Sequence, residues 1–178
     1  STTTFALGTV VPISRSEQKQ STEPIRNWSG NLQYSTTNFV QPKTVDELSS
    51  IIKKNKKLKL LGSQHCFNAI ADSDQLLVST GKLDKIVSLD TQAQTVTVDP
   101  GIKYGTLAEY LQPKGYAIQN LASLPHISAG GAIATATHGS GIKNGNLASQ
   151  VVGLELVLAD GAVKTIDKNT SDDLLNAC

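Results

Sequence analysis

Two histidines of this sequence stand beside glycine-rich stretches, and imidazole is the side chain best suited to proton and nucleophile chemistry near neutral pH. His65 follows a Gly-Ser turn within residues 60–68 (LLGSQHCFN). His138 lies within residues 122–141 (ASLPHISAGGAIATATHGSG). We expect both to be functional. We expect His126 to be structural, as a lone histidine more often is.

A short apolar strand runs into a glycine within residues 60–68. Leu60 and Leu61 end the strand, and Gly62 opens the turn that leads to His65. Such a turn exposes consecutive backbone amides, which can bind a phosphate or a flavin ring oxygen. The sequence therefore predicts a site for an anion or a flavin here.

The second stretch consists almost entirely of small residues. Five of the 14 glycines lie between residues 130 and 145, and few residues in 128–141 could fill a core. Small side chains let a large planar or pyrophosphate ligand approach the backbone. The alternative is a flexible surface loop, but Ile127, Ala132 and Ile133 make the stretch more apolar than a solvated linker. We favour the ligand site.

Several standard sites are absent from the sequence. No Gly-x-Gly-x-x-Gly follows a strand, residues 139–145 (GSGIKNG) have the wrong spacing, and there is no Walker loop or nucleophile elbow. His65, Cys66, His126 and His138 are the candidate soft metal ligands. Their spacing is not that of a zinc site, so we expect no bound metal.

Composition excludes further classes of function. The 178 residues carry 16 Lys+Arg against 15 Asp+Glu, which argues against binding to nucleic acid or an anionic membrane. No apolar run approaches the roughly 20 residues that span a bilayer. Two cysteines are too few for a disulfide scaffold. The sequence leaves the compartment open, and we favour the cytoplasm over secretion.

Periodicity and turn signals predict an α+β or a mixed α/β order. Thr44 and Glu47 form a capping box at the start of a helix. A strand-helix-strand unit comes first and hairpins follow, the second turning at Asp160-Gly161. Predicted strands cover residues 57–61, 76–79, 86–89, 95–99, 151–159 and 162–166, and predicted helices start at 45 and 171 and cover 104–112.

Four motifs together resemble the PCMH-type FAD-binding domain of the vanillyl-alcohol oxidase superfamily. They are residues 27–31 (NWSGN), 62–68 (GSQHCFN), 122–128 (ASLPHIS) and 134–141 (ATATHGSG). Within the superfamily the alditol and xylitol oxidases are the most similar group. The resemblance covers residues 27–161, and the combination of motifs is more specific than any one of them.

The resemblance implies an α+β fold of two subdomains with FAD between them. It implies that His65 is joined covalently to the 8α-methyl of the flavin and that Ser123 contacts a substrate hydroxyl. The implied reaction oxidises a polyol to an aldose and reduces dioxygen to hydrogen peroxide. The implied cofactor-binding residues are Leu60, Leu61, Gly62, Ser63, Gln64, His65, Cys66, Ala122, Ser128, Gly131, Thr135, Ala136, Thr137 and His138.

Within that set the resemblance implies different binding roles. The amides of residues 62–66 would hold the pyrophosphate, and Ser128, Gly131 and residues 135–138 would line the flavin. Cys66 replaces a serine of the family pattern. In relatives with two covalent links the second cysteine comes from a distant segment, so we expect a single link through His65.

The polar composition of residues 1–26, which has no period, predicts a flexible arm. The resemblance implies an FAD-binding domain over 27–178, incomplete at its C-terminal end. The missing partner would be a substrate-binding domain that carries the catalytic base. Two alternatives stay open: a sugar-lactone oxidase of the same superfamily, and a non-catalytic flavin-binding fragment.

Overall fold

A three-stranded parallel sheet begins the fold in the computed structural model, which describes residues 23–177. Its strands are β1 (Phe39–Val40), β2 (Lys59–Leu61) and β3 (Leu77–Ser79), in the order β1-β3-β2. Residues 1–22 of the predicted arm lie outside the described part. Within 23–26, Ile25 accepts a hydrogen bond from the Tyr34 amide.

Helix α1 (Val45–Lys54) connects β1 to β2 and confirms the predicted strand-helix-strand unit. Thr44 Oγ1 accepts a hydrogen bond of 3.1 Å from the Glu47 amide, as the capping box predicts. The Glu47 carboxylate accepts from the Lys43 amide at 2.8 Å, one residue before the expected donor. The helix buries Leu48 in a cluster that holds β1 and β3 together, formed with Val40, Leu76, Val78 and Leu83.

Two antiparallel hairpins follow and confirm both predicted pairings. β4 (Ile86–Asp90) pairs with β5 (Thr95–Val98), and β6 (Gly153–Val157) pairs with β7 (Val163–Asp167). The strand ends differ from the predicted ones by up to two residues. Gly161, at φ +84°, takes the left-handed conformation in the β6–β7 turn, so that strand pairing stops before it.

Helix α2 (Tyr104–Leu111) stops one residue before the predicted end and continues as a 3₁₀ turn over Gln112–Lys114. Its buried face anchors a second core cluster, which also includes residues of the small-residue stretch. Buried members of that cluster are Ile102, Tyr104, Leu107, Leu111, Ile127, Ala129, Ala132 and Leu147.

Two further helices complete the described chain. Helix α3 (Ala129–Ala134) lies inside the small-residue stretch, where no helix is predicted because Gly130 and Gly131 disfavour one. Helix α4 (Lys168–Ala177) is divided at Ser171, whose backbone is extended and whose Oγ accepts a hydrogen bond from the Leu174 amide at 3.2 Å. The second segment therefore starts where the sequence predicts, and the turn that precedes it is not predicted. Between residues 23 and 177, no helix is both long enough and apolar enough to cross a bilayer.

Candidate functional site

The two glycine-rich segments meet in space. The Ser63 amide donates to Ser128 Oγ, and the Ser128 amide donates to Ser63 Oγ, both at 3.1 Å. Ser128 is buried, with 1% of its surface exposed. A methyl group added at Gly62 would overlap Ser128 Oγ and lie 3.4 Å from the Cα of Gly131. Only glycine at position 62 therefore permits this close approach of the two backbones.

Strand β2 positions the first turn. The Leu61 side chain is buried in a cluster with Tyr34 and Leu77, whereas Leu60 is half exposed. Leu61 therefore fixes the start of the turn from inside the core. Gln64 then adopts the left-handed conformation with φ 61°, which is strained for a residue with a Cβ.

A second loop holds the turn from outside. The Trp28 amide donates to the Gln64 carbonyl at 2.9 Å, and Asn27 Nδ2 donates to the Cys66 carbonyl at 3.0 Å. The carbonyls of the turn thus point toward residues 27–28. The amides of Gln64, His65 and Cys66 have no hydrogen-bond partner within residues 23–177, so they are available to a ligand.

The His65 ring belongs to a cluster of three rings in mutual contact, because the Trp28 and His126 centroids are also only 5.5 Å apart. The His65 centroid is 4.4 Å from Trp28, which stacks on it at 25°, and 4.5 Å from His126. Both ring nitrogens of His65 are buried and have no partner in the described chain. Burial lowers the pKa of His65, and the nearby His126 and Lys103 lower it further. The ring is therefore neutral at physiological pH and keeps a free lone pair.

The end of the small-residue stretch forms a turn after α3. Thr135 Oγ1 donates to the Gly131 carbonyl at 3.0 Å and lies 3.2 Å from Thr137 Oγ1. Ala136 has φ 51°, a second left-handed residue at the site. His138 Nδ1 lies 2.9 Å from the Gly139 carbonyl. In the described region no ring contact joins His138 to His65.

Ser123 is exposed and lines a cavity of about 270 Å³. Tyr104 and Gly105, at the start of α2, also line it, as do Ala122 and Pro125. Burial raises the pKa of the Tyr104 hydroxyl, which therefore stays protonated across the physiological range. The cavity lies beside the His126 segment and can admit a small molecule.

Sequence reasoning missed the ring neighbours of His65. Trp28 belongs to a recognised motif but has no predicted role, and His126 has a predicted structural one. Long-range folding brings these residues together, and no local spacing signals it. Residues 23–177 contain no group of three or more His, Cys, Asp or Glu side chains placed to hold a metal ion.

Comparison with known families gives the site its context. The family model described as "FAD binding domain" matches residues 36–167, about three quarters of the chain. The chain belongs to this FAD-binding domain family. The match confirms the resemblance to the vanillyl-alcohol oxidase superfamily, and with it the two-subdomain α+β fold and FAD as the cofactor.

Relatives of this FAD-binding domain are oxidases. The chain is 41% identical over 141 residues to an alditol oxidase of Streptomyces sp., covering 78% of this chain and 34% of the relative. It is 33% identical to the L-gulonolactone oxidase of Mus musculus and 32% identical to the D-arabinono-1,4-lactone oxidase of Saccharomyces cerevisiae, each over 85% of this chain. The chain thus spans about a third of the length of these relatives, 30–36%.

Solved structures share the fold at low identity. Cholesterol oxidase from B. sterolicum superposes with a TM-score of 0.72 at 20% identity, over 82% of this chain and 32% of that one. A BBE-like 1 variant from Physcomitrella patens gives a TM-score of 0.74 at 23% identity, over 89% and 36%. At this identity the likeness concerns the fold alone.

The residues of the site fit a flavin. The His65 ring offers two buried nitrogens without partners, an arrangement that costs free energy unless a ligand uses it. The turn offers three free amides for an anion. The close contact of Gly62 with Ser128 and Gly131 brings the two glycine-rich segments together at the site. These features suit a cofactor with a planar ring system and a pyrophosphate.

Proposed function

We propose that this chain forms the flavin-binding part of an oxidase that converts a polyol to an aldose and dioxygen to hydrogen peroxide. The 41% identity to an alditol oxidase supports a polyol as the substrate, because the identity to the lactone oxidases is only 30–33%. Since the chain spans a third of these relatives' length, the proposal assigns it cofactor binding and one substrate contact, at Ser123.

We propose further that FAD is attached covalently through His65. When bound, FAD supplies a hydride acceptor for the carbinol and passes the electrons to dioxygen. His65 supports the attachment because its lowered pKa keeps the imidazole neutral, and a neutral imidazole has the lone pair that a nucleophile needs. Trp28 covers one face of the ring and limits its rotation.

Other residues of the site have proposed binding roles. The free amides of Gln64, His65 and Cys66 would hold the pyrophosphate, and Gly62 would begin the turn that presents them. Ser63 and Ser128 hold the two segments at a fixed separation. The further residues proposed to line the cofactor are Leu60, Leu61, Ala122, Gly131, Thr135, Ala136, Thr137 and His138.

Denaturation of the full-length protein tests the attachment. We expect yellow flavin to stay with the polypeptide after acid precipitation and to appear as added mass on the intact chain. His65→Ala should release all flavin into the supernatant. Free flavin in the wild-type supernatant would contradict the covalent role while leaving FAD binding intact.

Substrate profiling tests the reaction. We expect kcat/KM on sorbitol or xylitol to exceed that on aldonolactones. The reverse order would favour the second candidate, a sugar-lactone oxidase, which is supported by matches covering 85% of this chain. Anaerobic addition of each polyol gives an independent readout, because turnover bleaches the flavin. Absence of bleaching with polyols and lactones alike would favour a non-catalytic flavin-binding role.

A further inference from the structure

Three buried ring nitrogens without hydrogen bonds lie together at the site. Two belong to His65 and the third is Nε2 of His126, whose ring centroid is 4.5 Å away. A buried polar atom without a partner destabilises the fold, so a native structure rarely places three of them together without a functional reason. A cofactor joined to His65 uses one of these nitrogens and leaves the other two unexplained.

The backbone holds His126 firmly on both sides. The Gly105 amide donates to the Pro125 carbonyl at 2.7 Å, and the Tyr104 amide donates to the Ile127 carbonyl at 3.1 Å. Both bonds attach the segment to the start of α2, and Ile127 is buried in the core. His126 is therefore preorganised beside His65 and is not the tip of a loose loop.

We propose that His126 is the general base for flavin attachment, accepting through Nε2 the proton that the His65 ring loses when its other nitrogen bonds to the 8α carbon. This inference rests on the proposed covalent link. In the step, one C–H bond of the methyl group breaks and an N–C bond forms. The methyl proton and the His65 N–H proton leave, and two electrons pass through the ring system to dioxygen. With those two protons the dioxygen becomes hydrogen peroxide, so atoms and electrons balance.

The surroundings of His65 make removal of this proton necessary. Attack by a neutral imidazole places a positive charge on its ring unless the N–H proton departs. Burial disfavours that charge, and so does the nearby Lys103, in line with the lowered pKa of His65. A proton acceptor in contact with the ring would therefore lower the barrier to attachment.

His126 is the suitable acceptor among the rings that contact His65 in the described chain. Trp28 carries only an N–H donor, and Phe67, whose centroid is 6.5 Å away, has no polar atom. The nearby Lys103 is an ammonium donor in its charged form. The imidazole of His126 alone combines a free lone pair with ring contact.

Flavin-free full-length protein, mixed with FAD, tests the role. The readouts are noncovalent FAD affinity, thermal stability, and the fraction of flavin that stays with the polypeptide after denaturation at successive times. For His126→Gln and His126→Ala we expect FAD affinity to change by less than a few-fold while attachment slows by about 10²-fold or more. Free imidazole should restore part of the rate in His126→Ala and none in the negative control His65→Ala.

Each outcome decides a different question. Wild-type protein that never retains flavin would overturn the covalent link of the proposed function, and this inference with it. Wild-type retention with unchanged attachment rates in both variants would overturn the role of His126 alone. Parallel loss of FAD affinity and attachment, without rescue by imidazole, would mean that the ring only packs, and would also overturn it.

Discussion

Ser63 and Ser128 exchange two hydrogen bonds, each from the amide of one residue to the hydroxyl of the other, across 65 positions of sequence. Each hydroxyl accepts the bond that would otherwise leave a part-buried amide unpaired. The pair of hydrogen bonds therefore joins the turn after β2 to the start of α3. Because both segments line the proposed flavin site, we expect this pair of hydrogen bonds to affect cofactor binding as well as stability.

Removing the hydroxyl of Ser63 or Ser128 should destabilise the protein. We expect Ser128→Ala to lower the free energy of unfolding by about 1–3 kcal/mol, because the Ser63 amide loses its acceptor. Urea denaturation of wild type, Ser63→Ala, Ser128→Ala and the double variant would give the coupling energy of the pair. Ser88→Ala, an exposed serine on β4, is the matched control and should change stability by less than about 0.5 kcal/mol.

Adding a side chain at Gly62 should push the two glycine-rich segments apart. In Gly62→Ala the new methyl overlaps Ser128 Oγ, so we expect a lower melting temperature and weaker FAD binding, with a loss of about 1–3 kcal/mol. Gly153→Ala is the control, because its methyl would meet nothing closer than 3.5 Å. Adding Ser128→Ala to Gly62→Ala should recover part of the loss. A double variant less stable than the sum of the singles would contradict steric overlap as the cause.

The left-handed backbone at Gln64 predicts a substitution that stabilises. Gln64→Gly removes the clash of Cβ with the backbone at φ 61°, and we expect the free energy of unfolding to rise by up to about 1 kcal/mol. Gln112→Gly, at an ordinary helical φ of −53°, should instead lose about 0.5–1 kcal/mol. Chemical denaturation measures both. Equal losses at the two positions would show that Gln64 is not strained.

The lowered pKa of His65 predicts a pH dependence of stability for the flavin-free protein. The unfolded chain titrates near 6.5 and the folded chain at a lower pKa, so the unfolded state binds more protons between these values. The contribution of His65 is therefore fully present above about pH 6.5 and is lost as the pH falls through 6.5 toward the folded pKa. We expect His65→Gln to reduce the pH dependence of the free energy of unfolding in this range, measured by urea denaturation between pH 5 and 8. A curve unchanged by the substitution would contradict the shift.

Local signals in the sequence determined much of the fold. The capping box at Thr44 and Glu47 predicts the start of α1, and alternating residues about Asp160-Gly161 predict the β6–β7 hairpin, since capping and turn chemistry depend on residues a few positions apart. The glycine-rich composition of residues 128–141 likewise predicts a ligand site without any knowledge of contacts. The same composition does not predict α3, because its helix propensity is low and packing against the core stabilises the helix.

Only the tertiary structure decided which residues meet. The sequence alone predicted the family, the cofactor class and the nucleophile candidate His65, because the four motifs that carry the resemblance are each contiguous in the sequence. The contacts of that ring with Trp28 and His126 depend on chain segments about 37 and 61 residues away, and no periodicity encodes such distances. The burial that keeps His65 neutral arises from the same convergence, since a pKa reflects what the whole fold places around a group.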